Sequence, residues 1–197
     1  MRFLRDIQIH LEEWYGASTG LDVGDFVVAA PNFGRLGELL VQDEAGDLEI
    51  ALLLDRDILA AWDPHGEKST APEPTRALTV PFEEVSHFVY LGFNHRRGRN
   101  VTALEMEIQS EIDRVLLAYH GPFGLRDEQS AAILNELNER RYESARHEES
   151  RVAAAAFLRR LSGGDPRAWN ERERESLRAF FHSDLSEKLR FARGGRP

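Results

Sequence analysis

Apolar residues recur along this chain at a helical period at its start, in strand-like runs through residues 25–54, and at a helical period again from residue 80 onward. Leu4, Ile7, Leu11 and Trp14 mark one stripe of an amphipathic helix over residues 3–15, and Gly16 ends it. Three short apolar runs follow. Residues 25–30 are rich in β-branched side chains and stop at Pro31, and residues 38–42 and 48–54 flank a five-residue loop with Gly46 at its bend. This pattern predicts a small sheet, with Asp55 or Asp57 capping a short helix that carries Ile58, Leu59 and Trp62.

From residue 80 the pattern is helical. Pro81 suits a first helical position, and Glu83 and Glu84 follow in the first turn, where the helix dipole favours negative charge. Phe82, Val85, Phe88, Val89, Gly92 and Phe93 form one broad face. Tyr90 and Leu91 lie off it, which predicts burial on more than one side. A second helix starts at Thr102, where Thr102 and Glu105 spell a capping box and Val101 and Met106 a hydrophobic staple. Leu104, Ile108, Ile112, Val115 and Tyr119 make its stripe, and Gly121-Pro122 closes it. Two such helices joined by the basic stretch 94–100 read as an antiparallel αα-hairpin. Further helices begin near Asp127, cover residues 152–161, and follow the cap signals at Asp165-Pro166 and Asp184.

The expected fold class is α+β: a small antiparallel three-stranded sheet with flanking helices, then a helical array built on the 81–119 hairpin. The expected division is an acidic α/β portion at 1–62, a linker or long loop at 63–79, and a helical portion at 80–197, with one continuous domain as the alternative. The linker reading rests on Pro64, Gly66, Ser69, Thr70, Pro72 and Pro74, with little to bury between them.

Charge sharpens this division. Residues 1–80 carry 6 basic and 15 acidic side chains, whereas the rest of the chain is balanced; the net charge is −9. That balance argues against non-specific nucleic-acid binding, which needs phosphate neutralisation. RNA binding through the arginine-rich loop and the C-terminal helices is the weakest reading. The absence of cysteine excludes disulfides, thiolate metal sites and cysteine nucleophiles. With no run of eighteen apolar residues and no signal-peptide core, no membrane association is expected and the location expected is cytoplasmic.

Candidate chemistry is sparse. Glu84-Val-Ser-His87 places a carboxylate and an imidazole on one helix face, the spacing used in di-metal carboxylate bundles, and Glu107 or Glu111 could add a carboxylate from the facing helix. No second Glu-x-x-His occurs, and the sequence shows no partner for the second ring nitrogen of His87. No tight metal and no cofactor are therefore expected. Ser86 beside His87 is no nucleophile–base pair, since helix neighbours diverge by 100°. Glu105 is explained by its cap, and His147 reads as a solvated-face residue. Arg96, Arg97 and Arg99 form a candidate anion or acidic-partner site. The leading reading is a non-enzymatic binding or adaptor protein acting through a protein partner or self-association. The alternative is a metal-dependent enzyme using Glu84, His87 and Glu111.

Overall fold

A computed structural model describes residues 1–30, 36–44, 47–61, 74–139 and 145–194. Helix α1 (Arg2–Tyr15) buries Leu4, Ile7 and Leu11 and ends at Gly16, whose φ of 60° is the left-handed conformation that glycine adopts without steric cost. A 3₁₀ turn (Val23–Asp25) leads into β1 (Val27–Ala30), followed by β2 (Gly37–Glu44), β3 (Asp47–Asp55) and α2 (Arg56–Ala61). The expected cap is present: Asp55 Oδ1 accepts from the Asp57 backbone N–H at 2.8 Å. Trp62 lies outside the described residues.

The sheet is mixed rather than antiparallel. Its order is β1-β3-β2; β2 pairs antiparallel with β3, whereas β1 pairs parallel with β3, Val27 opposite Leu52. The short loop fixes the direction of the β2–β3 pair alone. The apolar run of β1 is compatible with either direction, and it pairs parallel. Val27, Leu39 and Leu52 share a row facing the core, while Val28 and Leu40 on the other face are exposed.

Helix α3 (Pro74–Arg96) starts seven residues before the position expected, with Pro81 inside it. The rule that places proline at the first helical turn holds, but for Pro74; Pro81 leaves an interior turn without one N–H donor. Residues 74–79, read as linker, are thus the first turns of α3, and Thr79 is buried. The remainder of the expected linker, residues 63–73, lies outside the described residues. Helix α4 (Ala103–His120) opens with the expected capping box, Thr102 Oγ1 accepting from Glu105 N at 3.2 Å and Glu105 Oε2 accepting from Thr102 N at 2.9 Å. The chain continues through α5 (Asp127–Glu139), α6 (Ala145–Leu158), two 3₁₀ turns, α7 (Glu171–His182) and α8 (Leu185–Arg193). Capping boxes at Asn170/Glu173 and Asp184/Glu187 start the last two helices.

Helix α4 is the axis of the array. It packs against α3, α5, α6 and α8, and thirteen of its side chains are buried, polar ones included. The stripe read from the sequence is real, but the opposite face is buried too. Leu4, Ile7, Leu52 and Leu54 join Phe88, Ile112, Phe180 and Phe181 in one apolar cluster, so the sheet portion and the helical portion share a core. Among the described residues no helix is long and apolar enough to cross a membrane.

Candidate metal centre

Helix α3 presents Glu83, Glu84 and His87 toward α4, within little more than one helical turn. The residue Gly37 at the start of β2 leaves room for Glu84: a Cβ there would lie 2.9 Å from Glu84 Cγ. Glu84 and His87 are both buried, with Glu84 Oε2 3.9 Å from His87 Nδ1. From the facing helix, Glu107 places its Oε2 3.9 Å from His87 Nε2. These separations are too long for hydrogen bonds. Neither His87 Nε2 nor Glu84 Oε2 has any hydrogen-bond partner, although both atoms are buried. One ligand atom each from Glu83, His87 and Glu107 lie within 4.8 Å of one another.

The other groups around this centre are charged. Helix α6 brings His147 Nε2 to 3.2 Å and an Arg146 guanidinium nitrogen to 3.8 Å from Glu107 Oε1. His147 is therefore no simple solvated-face residue: it is half-buried against α4. Arg114 lies 3.3 Å from Glu111 and 3.8 Å from Glu83. Burial on its own would lower the His87 pKa, but Glu84, then Glu107 and Glu83, outweigh it and raise it to about 9. Burial pushes the Glu84 carboxyl up, and His87 only partly offsets that.

Glu84 and His87 lie together, and of the two carboxylates offered by the facing helix one stands nearer the imidazole. Glu107, one turn before Glu111, reaches the imidazole, while Glu111 is engaged by Arg114. Glu83 was read only as a dipole residue. Its spacing of four from His87 puts it on the same face and was the signal that could have found it.

The three arginines do not converge. Arg96 reaches the Ser18 carbonyl at 3.3 Å, Arg97 lies over the Phe93 ring at 5.2 Å, and Arg99 pairs with Glu105 while donating to Asn94 Oδ1 at 2.7 Å. Glu105 holds both its cap and that ion pair. Ser86 donates to Asp113 Oδ2 at 2.6 Å and faces away from His87 chemistry.

Asp113 belongs to a second buried cluster that the sequence did not suggest. Its Oδ1 accepts from Tyr15 OH and from Gln109 Nε2 at 2.8 Å. The Gln109 Oε1 accepts from Lys188 Nζ at 2.7 Å, and Lys188 also donates to the Phe180 carbonyl at 2.7 Å. The ammonium lies 4.1 Å from the centroid of the Phe180 ring. Burial pushes Asp113 up and Lys188 down, each toward its neutral form, while their mutual attraction works the other way.

Comparison with family models, with curated proteins and with solved structures finds no match.

Proposed function

We propose that this protein binds one divalent first-row metal ion between α3 and α4, and that this centre is its functional site. The observation that carries the reading is His87: a buried imidazole whose Nε2 lacks a hydrogen bond and faces Glu107 at 3.9 Å. Two ligand atoms about 2.1 Å from a common ion stand some 3–4.2 Å apart, so this separation suits a shared ion without rearrangement of the helices. Glu83 supplies a third donor. Glu84 lies beside Nδ1, where a carboxylate orients a metal-binding imidazole and raises its basicity. The sequence offers no partner for that second nitrogen; the Glu84 carboxylate lies 3.9 Å from it, near but not hydrogen-bonded.

One imidazole with two carboxylates suits Mn(II), Fe(II) or Zn(II). Three protein ligands leave coordination positions for water, an arrangement of catalytic rather than structural sites. This supports a metal-dependent enzyme over an adaptor. The adaptor reading rests on overall charge and on a linker of which residues 74–79 are helix and the remainder lies outside the described residues, whereas the metal reading rests on named atoms.

The test is titration of protein purified without a histidine tag with Zn(II) and Mn(II), read by calorimetry. The expected result is one ion per chain in the wild type and in Glu111→Gln, with binding weakened at least tenfold in His87→Ala and in Glu107→Gln. Equal binding in wild type and Glu107→Gln, or none in the wild type, would overturn the reading.

A further inference from the structure

A separate cavity of about 400 Å³ opens between the 18–21 loop, the sheet and the C-terminal turns of α3. Its volume falls within the range of small-molecule pockets, about 300–1,000 Å³. Its walls are apolar: Leu21, Phe26, Leu48 and Ile50 contribute side chains, and Gly92 contributes bare backbone. Its charged or titratable lining among the described residues consists of His95 and Arg96, adjacent on α3.

This cavity is built rather than incidental. The buried amide of Gln8 donates to the Leu21 carbonyl at 2.6 Å and accepts from Val23 N at 2.8 Å. Glu12 accepts from both the backbone N–H and the hydroxyl of Thr19, at 2.9 and 2.7 Å. The loop is thereby pinned to α1. Phe26 is held against Phe88, their ring centroids 5.2 Å apart. Two glycines let the loop close on α3. A Cβ on Gly92 would lie 3.3 Å from Thr19, and one on Gly20 would lie within 2.4 Å of the Arg96 guanidinium. Gly20 also has φ +70°, where other residues are strained.

The exposed Arg96 thus donates to the Ser18 carbonyl and lies against the bare backbone of Gly20. Its guanidinium has five N–H donors, and one of them is used in a hydrogen bond among the described residues. A fork of donors above an apolar chamber matches a ligand with a planar anionic head and an apolar tail. We propose that this cavity binds an apolar carboxylate, its head paired with Arg96 and its tail lying against Phe26, Leu48 and Ile50. This site shares α3 with the metal centre but none of its residues, and it stands whether or not a metal binds.

Three probes with one tail and different heads separate head recognition from mere greasiness: decanoate, decanol and decylamine, titrated below their micelle concentrations into the full chain. The wild type is expected to bind decanoate at least tenfold more tightly than decanol and to bind decylamine most weakly. Amide shifts should centre on Gly92 and Ile50. In Arg96→Leu, an exposed position whose change leaves the core intact, decanoate and decanol should bind alike, and Arg96→Lys should restore part of the preference. No binding of decanoate, equal binding of decanoate and decanol by the wild type, an undiminished preference in Arg96→Leu, or shifts confined to another surface would each overturn the proposal.

Discussion

Two buried polar clusters meet α4, and they follow opposite rules. Around Asp113 the polar atoms are matched: Tyr15, Ser86 and Gln109 donate to the carboxylate, and Gln109 passes the chain of bonds on to Lys188. Around Glu107 the matching is partial: its Oε1 meets His147 Nε2 at 3.2 Å, whereas His87 Nε2 and Glu84 Oε2 have no hydrogen bond. Adjacent residues of α3 serve the two clusters, Ser86 the first and His87 the second, because neighbours on a helix diverge by 100°. A satisfied network specifies packing, since each donor placed wrongly in the interior is costly. An unsatisfied one lowers stability and persists where something else is gained. The contrast suits a structural role for the first cluster and agrees with the metal site proposed for the second.

The sharpest way to break this contrast is to remove Asp113. Asp113→Ala leaves the hydroxyls of Tyr15 and Ser86 and the amide of Gln109 without their acceptor. Each buried donor left unsatisfied costs about 1–3 kcal/mol. Urea denaturation should show a midpoint lowered accordingly, with metal binding unaffected in whatever fraction remains folded. A cost under about 1 kcal/mol would mean the cluster is not the structural one.

A smaller loss is expected at Glu105, which is satisfied like Asp113 but sits at the end of α4. Its two oxygens do separate work: Oε2 accepts from Thr102 N and Oε1 pairs with Arg99. Glutamine completes an isolated capping box, so from the sequence Glu105→Gln should be mild. Here an amide has one acceptor oxygen for two donors, and its NH₂ must face either Thr102 N–H or a guanidinium. Losing a hydrogen bond to a charged group costs about 2 kcal/mol. Thr102→Ala, which removes the cap alone, should cost about 1 kcal/mol. Thermal melts of the two variants should therefore rank Glu105→Gln below Thr102→Ala; the reverse order would return Glu105 to a simple cap.

How much of this was legible depended on whether the signal was local. Capping at Thr102 and Asp184, the stop at Gly16 and the stripe of α1 are set within one or two turns and read correctly. Pro81 misled because Pro74 carries the same first-turn signal. The burial of Glu107, Gln109 and Asp113 was not legible at all. On an isolated helix these mark a solvated face, and packing of α1, α3, α6 and α8 around α4 covers it. The Glu84–His87 half of the candidate centre is a spacing on one helix. The choice of Glu107 over Glu111 depends on how two helices are set against each other, and periodicity does not carry that.

The smallest effect on stability, and the one that separates the two clusters most cleanly, is expected from His87→Gln above pH 9. His87 is raised from 6.5 to about 9 by Glu84, Glu107 and Glu83 acting against burial. A group whose pKa is higher in the folded state contributes stability that is fully present below its unfolded value, here 6.5. That contribution falls as pH rises and is gone above about 9. The cost of His87→Gln should accordingly be greatest near pH 6, shrink between pH 6.5 and 9, and level off above that, where Nε2 has no hydrogen bond to lose. A metal ion competes with the same proton. Its binding at pH 7.5 should release a proton from His87, and its affinity should rise with pH across the same window. Calorimetry in two buffers of different ionisation enthalpy measures that release directly. Denaturation of wild type and His87→Gln from pH 6 to 10 measures the other half. A cost that stays constant across this range would show that His87 acts by packing, as Asp113 acts by its bonds, and the contrast between the clusters would collapse.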